Sequence, residues 1–216
     1  MNNEQIVLAK RPEGLPQADV FRYEPIEITA PEEGEVQVES IYISVDPYMR
    51  GRMNDTKSYV QPYEIDAPIH GHIVGKIIES NHAQYKSGDY ITGILPWKKV
   101  NTISADKVTK VASESVPLYL YLSVLGMPGM TAYTGLLQIG KPQEGETVVV
   151  SAASGAVGSV VGQIAKIKGA RVVGIAGGEK KTSYLKDVLG FDAVIDYKRE
   201  DFEQQLKYAV PDGKNV

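Results

Sequence analysis

The stretch TVVVSAASGAVGSVVGQIAKIKG, Thr147 to Gly169, passes from three consecutive valines into small residues and glycines, and then into an amphipathic run. The valines predict a short buried strand, and the run from about Ala156 predicts a helix. Between them, in ASGAVG, Ala153, Gly155 and Gly158 stand where the dinucleotide turn G-x-G-x-x-G has its glycines. Alanine replaces the first glycine, but the physical requirement is kept. Small residues let the backbone turn tightly and approach a pyrophosphate, and the unpaired N–H groups and positive dipole end of the helix face it. Gly162, one turn further, lets that helix lie close on the sheet. The turn also has a steric reading, a βα connection packed for its own sake. The strand before it, the helix after it and a βαβ unit of about thirty residues favour the nucleotide.

Some twenty residues on, the second strand RVVGIA should end near the adenosine ribose, where an acidic residue selects NAD through the 2′-hydroxyl. GGEKK follows. No carboxylate stands at the strand tip; Gly177 and Gly178 leave room, and Lys180 and Lys181 supply positive charge for a 2′-phosphate. NADP is therefore favoured, with Glu179 the residue that argues for NAD. The lysines can also be read as the solvated first turn of the next helix, although cations there oppose the helix dipole.

Outward from this core, residues 1 to about 109 read as short strands (EVQVESIYISV, HIVGKIIES, DYITGIL) separated by turn residues. From about Val116 the period changes: PLYLYLSVLG and MTAYTGLLQIG read as helical, and ETVVVSA, ARVVGIA and DAVIDY as buried strands alternating with helices. The expected fold is α/β: a β-rich domain at 1–120, then a βαβαβ parallel sheet at 121–216. The boundary falls within 112–125. A net charge of −4 in 216 residues offers no general attraction to nucleic acid or anionic lipid. The most apolar region, VPLYLYLSVLGMPGM, is interrupted by Gly126, Pro128 and Gly129 well short of a membrane span, and the opening residues lack a signal-peptide pattern. A cytoplasmic protein is expected. With no cysteine, disulfides, thiolate nucleophiles and sulfur-bound zinc are excluded.

Three motifs in order, SVDPYMRGRM (44–53), LGMPGMTAYTGLL (125–137) and the run from Ser151 to the DYK at 196–198, resemble the medium-chain dehydrogenase/reductase superfamily. Within it the chain is similar to the zinc-free branch of leukotriene B4 12-hydroxydehydrogenases, prostaglandin reductases and double-bond reductases. The resemblance implies a GroES-like β domain followed by the first half of a Rossmann doubly wound parallel sheet. It also implies NADPH-dependent, zinc-independent reduction of the carbon–carbon double bond of enals and enones, and a homodimer for the full-length protein. A quinone reductase of the same superfamily and a non-catalytic NADPH-binding fragment are the alternatives.

Carried over on these motifs, Gly155, Ala156, Val157 and Gly158 form the pyrophosphate loop, Lys181 meets the 2′-phosphate and Tyr197 lies at the adenosine end. Met127 and Thr131 border the nicotinamide, or simply pack a helix N-terminus. Tyr48 is a wall of the substrate pocket or a core tyrosine, and Asp46 and Arg50 are expected to form an ion pair. In IHGHIVGKI, Gly71 and His72 fall where zinc-dependent relatives have a G-H-E ligand motif, but the glutamate position is Ile73 and Val45 stands about where a cysteine ligand belongs. His70 and His72 are taken to point to opposite sides of a strand, His82 is read as a surface turn residue, and no metal is expected. Hydride transfer to an enone leaves an enolate that needs a preorganised donor. The donors implied by the family are a cofactor ribose hydroxyl and tyrosines beyond residue 216, with the α-carbon proton from water, so no catalytic acid is assigned. The final YAVPDGKNV reads as a helix end and a turn toward a fourth strand, and a fragment of a longer reductase is expected, with the VVVSA strand left at an open edge.

Overall fold

The computed structural model describes residues 2–112 and 115–210, in two units, Met1–Leu122 and Ser123–Val216. In the first, β1 (Asn3–Leu8) pairs antiparallel with β2 (Phe21–Ile26). The chain continues through β3 (Glu35–Ile43), the short helix α1 (Tyr48–Arg52), β4 (His70–Ser80), β5 (Tyr90–Pro96), β6 (Val100–Ser104) and β7 (Val108–Lys110). The last five strands form one antiparallel sheet in the order β6-β3-β4-β5-β7. Alternation sends one face of each strand inward, and Val36, Val38, Ile73, Ile77, Ile91 and Leu95 are completely buried there. A second cluster, Leu8, Val20, Met49, Met53, Tyr63 and Ile69, fixes α1.

The second unit begins with α2 (Met127–Tyr133), where Gly126 takes the extended N-cap position and Pro128 sits in the first turn, where the N–H that proline lacks would have no intrahelical acceptor. The helix widens into a π-type coil at Thr134–Gly140. Then follow β8 (Thr147–Val150), α3 (Ala156–Ile167), β9 (Arg171–Ala176), α4 (Glu179–Ser183), β10 (Ala193–Asp196) and α5 (Phe202–Ala209). The strands are parallel in the order β10-β9-β8, a partial Rossmann-like sheet. Its core gathers around Phe191, which is 1% exposed; a β-carbon on Gly162 would run into that ring, so glycine lets α3 settle on it. Among the described residues β8 pairs on one side only, with β9, and Val149 is 41% exposed.

One local expectation fails. PLYLYLSVLG forms only a 3-10 turn at Leu118–Leu122. The chain reverses just after it, because the N–H groups of Gly126 and Gly129 both donate to the Ser123 carbonyl at 3.1 Å. The turn expected in Pro211–Val216 lies outside the described residues.

Candidate functional site

Because β8, β9 and β10 run parallel, their carboxyl ends bring three connections to one edge of the sheet: residues 151–155, 177–178 and 197–201. Open α/β sheets bind ligands at that edge. Gly155, Ala156, Val157, Gly158, Lys181 and Tyr197 all lie along it. The turn after β8 is made by Ala152 in the left-handed region, at φ 47°, a conformation that costs a residue with a β-carbon about 1–2 kcal/mol. Its carbonyl accepts the Gly155 N–H at 2.9 Å, and the Ala153 N–H donates to Ile175 at 3.0 Å, tying the turn to the neighbouring strand. Nothing in the sequence marks Ala152 for this role; the glycine pattern points one residue later, to Ala153, which is completely buried.

Gly155 is the N-cap of α3 and offers no side-chain acceptor. Among the described residues the N–H groups of Ala156, Val157 and Gly158 have no hydrogen-bond acceptor, the first paired amide being Ser159, which donates to Gly155. A β-carbon on Gly158 would lie 2.6 Å from the Ala152 oxygen and 2.9 Å from the Ala153 Cα. Glycine is thus required for the helix to start this close to the turn. Three free donors at the positive end of a twelve-residue helix are an arrangement suited to an anion.

At the neighbouring tip, Lys180 and Lys181 are exposed in α4, and among the described residues neither pairs with a carboxylate. Glu179 is also exposed, at the start of the same helix. Asp196 Oδ1 accepts the Lys198 N–H at 3.0 Å, and the amides of Lys198 and Gly178 hold its pKa below the usual carboxylate range. Its charge is directed into the protein's own backbone. Tyr197 is 56% exposed and its ring stands over Gly177. This edge therefore fits an NADP molecule: free amides for a pyrophosphate, a strand tip without a side-chain acid, and unpaired ammonium groups beside it.

Met127 and Thr131 lie elsewhere in the same unit, on α2, which packs against α3. They line an open apolar groove with Met130, Thr134, Gly135 and Ile139. The Thr131 hydroxyl donates to the Met127 carbonyl at 2.8 Å, so its proton is already used within the helix.

Tyr48 belongs to the first unit. It opens α1 and packs against the Leu8 cluster; burial, then the Asp46 charge, raises its pKa, so the phenol stays protonated. Its neighbour Tyr63, which the motifs do not mark, donates its hydroxyl to the His70 carbonyl at 2.7 Å, and burial pushes its pKa up to about 12. The Arg52 guanidinium stacks 4.0 Å from the Tyr63 ring centroid.

The expected Asp46–Arg50 ion pair does not form. Arg50 donates to the carbonyls of Gly14 (2.8 and 3.1 Å) and Pro12 (3.3 Å) and to Asn54 Oδ1 (2.7 Å), pinning the 12–14 loop. Asp46 precedes α1, accepts the Met49 N–H at its carbonyl, and takes the Ser44 hydroxyl at 3.0 Å. The histidine expectation also needs correcting: His70 and His72, two apart on β4 and opposite Pro96 and Ile94, share one face. His70 Nδ1 lies 3.1 Å from the Pro68 carbonyl, and burial lowers its pKa. Among the described residues no group of three or more His, Asp or Glu side chains is placed to hold a metal ion. Val45 and Ile73 offer no side-chain ligand atom for a metal. Among the described residues no helix is long and apolar enough to cross a membrane.

With this geometry the chain matches two family models, the N-terminal domain of oxidoreductase at residues 4–111 and the zinc-binding dehydrogenase at residues 156–216. It is 47% identical over 214 residues to the NADPH-dependent curcumin reductase of Escherichia coli, covering 99% of this chain and 62% of that protein. It is 40% identical over 222 residues to the NADP(+)-dependent 2-alkenal reductase of Nicotiana tabacum, covering 100% of this chain and 65% of that protein. The crystal structure of CurA from Vibrio vulnificus in complex with NADPH superposes with a TM-score of 0.92 at 46% identity, covering 99% of this chain and 65% of that one. The chain thus spans less than two thirds of the length of each.

Proposed function

The chain belongs to the medium-chain dehydrogenase/reductase superfamily, and from that premise we propose that it binds NADPH at the carboxyl edge of β8–β10 and serves the reduction of conjugated carbon–carbon double bonds in enals and enones. The observation that carries the reading is the set of free amides at Ala156, Val157 and Gly158 beside unpaired Lys180 and Lys181. The relatives' names support it: one is an NADPH-dependent reductase and another acts on 2-alkenals.

When bound, NADPH supplies the hydride; the chain's task is to hold and surround it. The amides of Ala156, Val157 and Gly158 would take the pyrophosphate, Lys181 the 2′-phosphate and Tyr197 the adenosine end. Met127 and Thr131 would border the nicotinamide, with Met127 as an apolar wall and the Thr131 oxygen as an acceptor. Tyr48 would wall the substrate pocket with a neutral phenol. No catalytic acid is assigned. Zinc independence belongs to this proposal and is supported by Val45 and Ile73 where ligands would stand. A cytoplasmic location and a homodimer of the full-length protein are also part of it, resting on the family resemblance alone.

The test is a fluorescence titration with NADPH and NADH, followed by NADPH consumption with a hydroxyalkenal. Tighter binding of NADPH and turnover of the enal are expected. Equal affinity for the two nucleotides contradicts the 2′-phosphate assignment, consumption with a quinone alone favours a quinone reductase, and binding without consumption leaves a nucleotide-binding module.

A further inference from the structure

At the carboxyl end of β9, positions 177 and 178 stand where an acidic side chain would reach a ribose 2′-hydroxyl. Both are glycine, and a side chain at either position meets a different obstacle. A β-carbon on Gly177 would lie 2.7 Å from Cζ of Tyr197 and 2.8 Å from its Cε1 and hydroxyl oxygen, inside van der Waals contact. A β-carbon on Gly178 would meet nothing within 4 Å, but φ 89° and ψ 150° there suit glycine almost exclusively. One position is filled by the far end of the Tyr197 side chain, which must swing aside for any β-carbon, and the other is restricted by its own backbone.

The Tyr197 backbone is set in place by the sheet. Its N–H donates to the Ala176 carbonyl at 3.2 Å, carrying the β9–β10 pairing one residue past the strand, and Lys198 N–H donates to Asp196 Oδ1, fixing the turn behind it. The ring thus lies against Gly177 because the two residues adjoin at the ends of paired strands.

Resting on the NADPH reading above, we propose that Tyr197 is a specificity-determining residue that works by exclusion: its ring fills the volume an acid at position 177 would need to reach the ribose diol. The missing acid and the tyrosine are then one device. Lysine charge favours the 2′-phosphate, and the ring keeps the competing diol reader out. An acid introduced at 177 must first displace the ring, so it fails to recruit NADH unless Tyr197 is shortened too.

The experiment measures dissociation constants for NADPH and NADH on the whole protein and on Gly177→Asp, Tyr197→Ala and the double variant. Gly177→Asp alone is expected to gain no NADH affinity. The double variant is expected to bind NADH about tenfold more tightly than Tyr197→Ala, the scale of one hydrogen bond to a charged group, and to lose NADPH affinity through charge repulsion. Equal NADH gains in the single and double variants, or no gain in the double, overturn the exclusion role while NADPH binding by the unaltered protein stands. An unaltered protein that binds neither nucleotide overturns the NADPH reading and this inference with it. Should the double variant not fold, Gly177→Ala serves with the Tyr197 ring signals followed by NMR, assigned through Tyr197→Phe. The inference expects those signals to move, and unmoved signals overturn it.

Discussion

In Met1–Leu122 the charged residues of VDPYMRGRM are occupied: Arg50 holds the 12–14 loop through carbonyl oxygens, and Arg52 donates to Gln61 and covers the Tyr63 ring. In Ser123–Val216 the corresponding motif leaves its groups free, with three helix-start amides and two lysines lacking partners among the described residues. Among the described residues the buried side-chain atoms without a partner, Asp46 Oδ2 and Trp97 Nε1, lie in the first unit, whereas Ala156, Val157, Lys180 and Lys181 are open to solvent. Motif residues of similar appearance therefore do different work. Where the protein's own backbone satisfies them they hold a loop, and where it does not they are available to a ligand.

The largest effect should come from the core beneath the second unit's site. Phe191→Ala removes the ring that supports Gly162 and Gly174 and should cost about 3–5 kcal/mol in chemical denaturation. Gly158→Val tests the turn itself: its side chain must displace the Ala152 carbonyl, at about 1–3 kcal/mol of stability. NADPH affinity should drop more than about tenfold if the free amides take the pyrophosphate. Retained affinity would mean that the α3 start is not the site.

Arg50→Ala checks the other half of the comparison. It should destabilise by about 1–2 kcal/mol through lost charge-assisted bonds and leave NADPH affinity unchanged, read by calorimetry and titration. A large fall in affinity at unaltered stability would move Arg50 out of its structural role.

The smallest effect is at Asp192, whose Oδ1 takes Lys166 at 2.8 Å and Oδ2 the Val172 N–H at 2.7 Å. Partial burial raises its pKa, but Lys166 and the Val172 amide together bring it below the ordinary value. A lowered native pKa gives stability that is fully present above the unfolded value, about 3.9, and is lost as pH falls through the native pKa. Asp192→Asn should therefore be less stable than the unaltered protein at neutral pH, with the gap narrowing under acid. A gap independent of pH from neutral to strongly acidic solution would contradict the pairing.

The strand–turn–helix at 147–169 was legible because its signals are local: a valine run, small residues at fixed spacing and a helical period. The strands at 35–43 and 70–80 were legible for the same reason, as short runs between turn residues. The loop partners of Arg50 were not, since they lie 36 and 38 residues away in a loop without pattern. The left-handed Ala152 gave no signal because alanine rarely takes that conformation. The Gly177–Tyr197 apposition depends on the pairing of β9 with β10, which no spacing along the chain reveals. PLYLYLSVLG read as helical from its period, and the nearby N–H groups of Gly126 and Gly129, both donating to the Ser123 carbonyl, made its end a turn.

The most direct test of the claim that the free groups of the second unit form the nucleotide site is an amide chemical-shift map on adding NADPH. The account expects the largest shifts at Ala156, Val157 and Gly158, with changes at Gly177 and Lys181 that are absent with NADH, and none at Glu13, Gly14 or Arg50. Shifts spread evenly over the chain, or no change at 156–158 under saturating NADPH, would contradict it.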